Sequence, residues 1–132
     1  MNYLECISLL NYLLKRLHAG QRQQVPVTVV TEVMTVLLSV NKKLSSMDLN
    51  DPMLPTRIND ILGSINLIKS TAGLTHLSEV MKNSLVSGIT ELRDGICIEA
   101  YTYYQINEFD PTEQIVPIMR TVVEVALAKG VI

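Results

Sequence analysis

Ile96-Cys97-Ile98-Glu99-Ala100-Tyr101-Thr102-Tyr103-Tyr104-Gln105-Ile106-Asn107-Glu108 admits two readings, and the choice between them decides the fold class. Ile96, Ile98, Ala100, Tyr104 and Ile106 alternate as in a strand, whereas Ile96, Ala100, Tyr103 and Asn107 share a helical face. A lone strand leaves its backbone N–H and C=O groups without partners. The other run of strand formers, Val25 to Thr31, opens a stretch of over twenty residues without a turn signal, a length that fits one helix. With no strand to pair with, 96–108 reads as helix.

The rest of the chain follows the same period. Tyr3, Ile7, Leu10, Leu14 and Leu17, widened by Leu4 and Leu13, predict a helix over 2–19 that closes at Ala19-Gly20. Residues 26–47 form a second, with Pro26 in the first position and Val30, Val33, Met34, Leu37, Val40 and Leu44 inward. Asp48 to Pro55 is a loop. A third helix begins near Thr56, turns Ile58, Ile61, Leu62, Ile65 and Ile68 inward, and stops at Ala72-Gly73. Thr75 caps a fourth, which buries Leu77, Val80, Met81, Leu85, Ile89 and Leu92 and ends at Asp94-Gly95. Gly63 and Gly88, inside these helices, suggest close helix approach. Asp110-Pro111-Thr112-Glu113 gives the last helix a capping carboxylate, a first-position proline and a glutamate three residues on. Its inward residues are Ile115, Ile118, Met119, Val122, Val123 and Ala126, Lys129-Gly130 stops it, and Pro117 kinks it or moves its start. The expected architecture is all-α: a single-domain irregular bundle of five to six helices over 1–132.

Composition narrows the function classes. Of 132 residues, 44 are Leu, Ile or Val, while only 18 % are charged. An average domain of this length carries roughly 33 charged residues, or 25 %; this one has 24. Mean hydropathy is +0.27. Disorder is excluded, because so apolar a chain offsets its ordering entropy by burial. Part of the apolar excess is expected on a surface covered by a neighbour. No segment reads as a membrane span: the longest weakly charged stretch, Val25 to Val40, has 16 residues and contains Pro26 and Glu32. Glu5 comes early and Lys15-Arg16 follow the apolar run, the reverse of a signal peptide. Cys6 and Cys97, 91 residues apart, read as small buried hydrophobes in a reducing compartment. A cytoplasmic location is expected, or the host cytoplasm for a viral protein.

Chemical motifs fail in turn. The six glycines stand singly, so no phosphate-cradling loop exists. His18 and His76 lack ligand spacing, which leaves no metal site and no cofactor. No nucleophile elbow occurs and neither cysteine has a local histidine, so no catalytic residue is assigned and the chain reads as a non-enzyme with no small-molecule substrate. Six acids against Arg93 make 88–114 acidic enough to dock a basic partner. Lys15, Arg16 and Arg22 form a weak basic patch at the turn of the first helical hairpin, with Lys42-Lys43 about 24 Å away at its open end. Two small patches make nucleic-acid binding an unlikely partner mode. Tyr101, Tyr103, Tyr104 and Phe109 crowd four of the six aromatics into nine residues, and are the protein-interface candidates. These readings together imply a non-enzymatic protein–protein interaction subunit: an adaptor, inhibitor or assembly component that binds a protein partner or itself as a homo-oligomer through an apolar helical face. A virus or phage virion or assembly accessory protein is one alternative. A nucleic-acid-linked transcriptional regulator is the other.

Overall fold

The structure, a computed structural model, describes residues 2–18, 25–106 and 117–131. Five helices make up the described chain: α1 Asn2–His18, α2 Thr28–Leu44, α3 Met53–Ser70, α4 Glu79–Ile106 and α5 Pro117–Ala128. No strand occurs among the described residues, in keeping with the all-α reading.

α1 packs on α2, α2 on α3, α3 on α4 and α4 back on α1, while the diagonal pairs do not meet. Contacts between the helices fix the directions. Arg16 near the end of α1 meets Glu32 near the start of α2 at 3.1 Å, and Lys43 at the end of α2 meets Glu5 at 3.2 Å. Arg57 of α3 meets Glu91 of α4 at 3.2 Å, and Arg93 of α4 donates to Asn11 of α1 at 3.2 Å. α1 and α2 are therefore antiparallel; so are α3 and α4, where Leu54 meets Gly95 and Ile61 meets Gly88, and α1 and α4, where Tyr3 meets Tyr103 and Asn11 meets Arg93. α5 lies against α4 and α1. One apolar cluster runs through all five helices, with Ile7, Leu10, Leu37, Ile58, Ile65, Leu85, Leu92 and Ile96 fully enclosed.

Asp94-Gly95 does not end the fourth helix. α4 runs through it over 28 residues, so the expected fourth helix and the described part, 96–106, of the ambiguous 96–108 segment are one element. The physical reason lies in α3: a Cβ at Gly95 would stand 2.6 Å from Leu54 Cδ2. The missing side chain lets α3 approach and is not spent on a left-handed turn. Gly88 serves the same approach, 3.1 Å from Ile61 Cγ1, but Gly63 faces open space. Buried Ile96, Cys97, Glu99 and Ala100 follow the helical spacing.

Other boundaries shift for reasons of hydrogen bonding. α3 starts at Met53 and not near Thr56, because the Asp51 carboxylate accepts the Met53 N–H at 2.9 Å and Pro52 opens the turn without an N–H to satisfy. α4 is capped by Ser78, whose hydroxyl accepts the Met81 N–H at 3.1 Å, and not by Thr75. Thr75 is engaged elsewhere: its carbonyl accepts the Val27 N–H at 2.9 Å, and the Val25 carbonyl accepts the Leu77 N–H at 2.8 Å. These bonds form a single bridge, Pro26 to His76, that joins the connections preceding α2 and α4. Pro26 accordingly stands ahead of α2, and the strand-forming Val25 to Val27 shows itself only there.

Lys129-Gly130 ends α5 as the sequence indicates. Gly130 is left-handed at φ 74°, its N–H reaches Leu127 at 3.2 Å, and Val131 N–H reaches Ala126 at 2.9 Å. The described part of α5 begins at Pro117, so whether that proline moves the start or kinks the helix lies outside the described residues. The Asp110 to Glu113 cap lies outside the described residues.

Candidate interaction surface

Leu67 and Val80 are the most exposed large apolar side chains among the described residues, at 72 % and 79 %. Leu67 leaves the inward stripe of Ile58, Ile61, Ile65 and Ile68 on the outer side of α3. Val80 sits in the first turn of α4, next to Ser78 and Glu79. It was expected inward with Leu77 and Met81, but Leu77 lies before the helix and takes the buried place, at 4 %. The two side chains flank one groove of about 270 Å³ along the α3–α4 seam, lined also by Ser64, Ile68, Thr71, Met81, Ser84 and Leu85. Small residues on both helices, Ser64 on α3 and Ser84 on α4, leave this part of the seam open. The remaining exposed apolar side chains are dispersed, with Tyr12 on α1, Leu38 on α2, Met53 at the start of α3, and Leu127 and Val131 at the end of α5.

The tyrosines expected at an interface lie where the start of α1 meets the end of α4. Tyr103, 37 % exposed, stands 5.6 Å from the Tyr3 ring and 5.3 Å from the Tyr104 ring, the latter edge-on. Tyr101 and Tyr104 are half-buried and pack against the core. Burial, and then the charge of Glu99, hold the Tyr3 phenol above its ordinary value, and burial does the same for Tyr104. Phe109 lies outside the described residues.

Of the basic patch, Lys15 and Arg16 are exposed at the end of α1, and Arg22 lies outside the described residues. The Arg16 guanidinium is held by Glu32, which also accepts the Tyr12 hydroxyl proton. Those two donors, Tyr12 first, keep the Glu32 carboxyl below its ordinary value. Lys43 is likewise paired, with Glu5. Two of the five cations of this hairpin, Arg16 and Lys43, are thus paired with its own acids.

A second cleft, about 290 Å³, lies between α3, α4 and the end of α5, with Asp51, Arg57, Glu91, Asp94 and Lys129 on its walls. Its charges answer one another: Arg57 with Glu91, and Arg93 and Lys129 with Asp94 at 2.9 and 3.7 Å. Beside it the 4 % exposed Glu99 accepts from the Asn50 amide at 3.0 Å and from the Asp51 N–H at 2.7 Å. Among the described residues no group of His, Cys, Asp and Glu is placed to hold a metal ion, and no helix is long and apolar enough to cross a membrane.

Cys6 and Cys97 are free and fully buried. Burial pushes the Cys6 thiol up to about 11 and the Cys97 thiol up to about 12, the opposite of the shift that activates a nucleophile. Neither is expected to react with a thiol reagent at neutral pH in the native protein, and both should titrate in denaturant. Because the unfolded thiols ionise near 9 and the folded ones only above it, each lowers stability as pH rises past about 9. A urea midpoint that stayed constant from pH 8 to pH 10 in wild type, or fell equally in a Cys6→Ser, Cys97→Ala variant, would contradict this.

The chain matches no family model, no curated protein and no solved structure among those compared with it.

Proposed function

We propose that this chain is a non-enzymatic protein-interaction subunit that binds through the outer face of α3 and α4. The groove between Leu67 and Val80 carries the reading. Leu38, Met53 and Leu127 are exposed singly on other faces and to a lesser degree, while here two large aliphatic side chains stand in solvent on either side of one apolar channel. Grooves of this kind accept helical faces, with side chains three and four residues apart as anchors. The silent thiols and the internally paired charges of the second cleft support a binding role over a catalytic one.

The double variant Leu67→Ser, Val80→Ser tests this without disturbing the core, since both positions are exposed. The wild type is expected to bind an apolar fluorescent dye saturably, and the variant to lose most of that signal with its helical circular dichroism unchanged. A side-by-side affinity capture should show at least one protein, this chain included, retained by the wild type and released from the variant. Dye binding that survives the double substitution would remove the reading.

A further inference from the structure

α1 to α4 close into a ring by themselves, each packed on the next and α4 back on α1, while α5 lies outside that ring against α4 and α1. Among the described residues the largest fully enclosed side chains, such as Leu10, Leu37, Ile58 and Leu92, all belong to the ring. α5 contributes none of them. It buries Met119, Val122, Val125 and Ala126, of which only Ala126 is fully enclosed. Its end is tied to α4 by Lys129 and Asp94 at 3.7 Å, a long pair with Lys129 half exposed, which holds weakly.

The two buried thiols mark different seams of this arrangement. On α4, Gly95 turns to α3 at Leu54, and Arg93 reaches α1 at Asn11. Asp94, Cys97 and Tyr101, spaced by three and four residues, share the side that remains, and Lys129 of α5 meets that side at Asp94. Cys97 is fully buried there, so α5 is what covers it. Cys6 belongs to the seam of α1 and α2. Glu5 beside it pairs with Lys43 of α2, and the same ammonium acts on the Cys6 thiol against the stronger upward push of burial.

We infer that α5 is a strap that opens as a unit while the α1–α4 ring stays folded, uncovering the Cys97 side of α4. Native proteins open in contiguous units, and a unit with few buried apolar contacts opens ahead of the rest. The strip beneath α5 is then a second apolar face, present only in the open form and separate from the α3–α4 groove.

Thiol labelling of the wild type in urea below its midpoint, read residue by residue by mass spectrometry, tests this. Cys97 should label about tenfold or more ahead of Cys6. Its rate should rise gently with urea, because opening α5 exposes little surface, whereas Cys6 waits for the ring and its rate should rise steeply. Two variants separate the routes. Val33→Ala on α2 weakens the ring in the closed and the open form alike, so it should speed Cys6 by about tenfold and leave Cys97 unchanged. Val122→Ala on α5 weakens only the closed form, so it should speed both. Amide exchange of the wild type gives a reading without substitution: 119–126 should exchange ahead of 85–97. Both thiols labelling at one rate, Val33→Ala speeding them equally, or α5 amides exchanging together with those of α4 overturns the strap. No readout involves Leu67 or Val80, so the groove stands or falls separately.

Discussion

Glu99→Leu is expected to cost about 3 kcal/mol of unfolding free energy, although it exchanges a buried carboxylate for an apolar side chain. Hydrophobic replacement of a buried charge often does no harm, because the charge had lost its hydration. Glu99 differs in what depends on it. Its oxygens accept from the Asn50 amide at 3.0 Å and from the Asp51 backbone N–H at 2.7 Å. Leu offers no acceptor to either. The orphaned Asp51 N–H alone costs about 1–3 kcal/mol, and Asp51 is also the residue whose carboxylate caps α3 through Met53. The loss therefore spreads from one side chain to the start of a helix. Glu99→Gln keeps one acceptor oxygen and should lose about half as much. Urea denaturation gives the magnitudes, and amide exchange at Asp51 and Met53 localises them. A Leu variant as stable as the wild type would show that the 48–52 connection stands without its anchor.

Gly95→Val should destabilise by about 2 kcal/mol. A Cβ at this position comes within 2.6 Å of Leu54 Cδ2, and Leu54 is itself fully enclosed, so it has nowhere to swing. Overpacking of this kind costs about 1–3 kcal/mol, which outweighs the few tenths that Val gains over Gly in helix propensity. Gly63→Ala, one helix away, should act in the opposite direction. Its Cβ meets nothing within 4 Å and it is exposed, so the helix gains up to about 1 kcal/mol. A double-mutant cycle settles the cause: Leu54→Ala should cost less in the Gly95→Val background than in wild type, because it removes the atom that is struck. Additive costs would place the damage elsewhere.

Helical periodicity reached most of the elements and stumbled at their ends. The stripes of α1 and α2 emerge with the expected residues buried, Ile7, Leu10 and Leu17 on one, Val33, Leu37 and Leu44 on the other. Reading 96–106 as helix succeeded because a strand there would have had no partner. Asp94-Gly95 misled because a stop and a close approach ask for the same residue. Which of the two applies depends on Leu54, far away in the sequence on α3. Asp51-Pro52 carries the same cap-and-proline signal as Asp110-Pro111, but Asn50 and Pro55 crowd it, so that 48–55 reads as a loop. The surface was harder still. A deficit of charge announces an apolar face without saying which helix bears it. Leu67 could have been found, since it falls outside its own stripe. Val80 could not, because its place depends on the helix starting after Leu77, and that start is set by Ser78 and by the bridge to Val25.

That bridge also decides where the chain tolerates interruption. The connection before α2 and the one before α4 hold each other through Val25, Val27, Thr75 and Leu77, and the connection before α3 is held by Glu99. Added length within 25–27, 50–51 or 75–77 would have to break one of these bonds to make room. Ala72-Gly73, exposed and ahead of the bridged residues, is the place in the described chain where an epitope or a fluorescent reporter can be spliced in with the bundle intact.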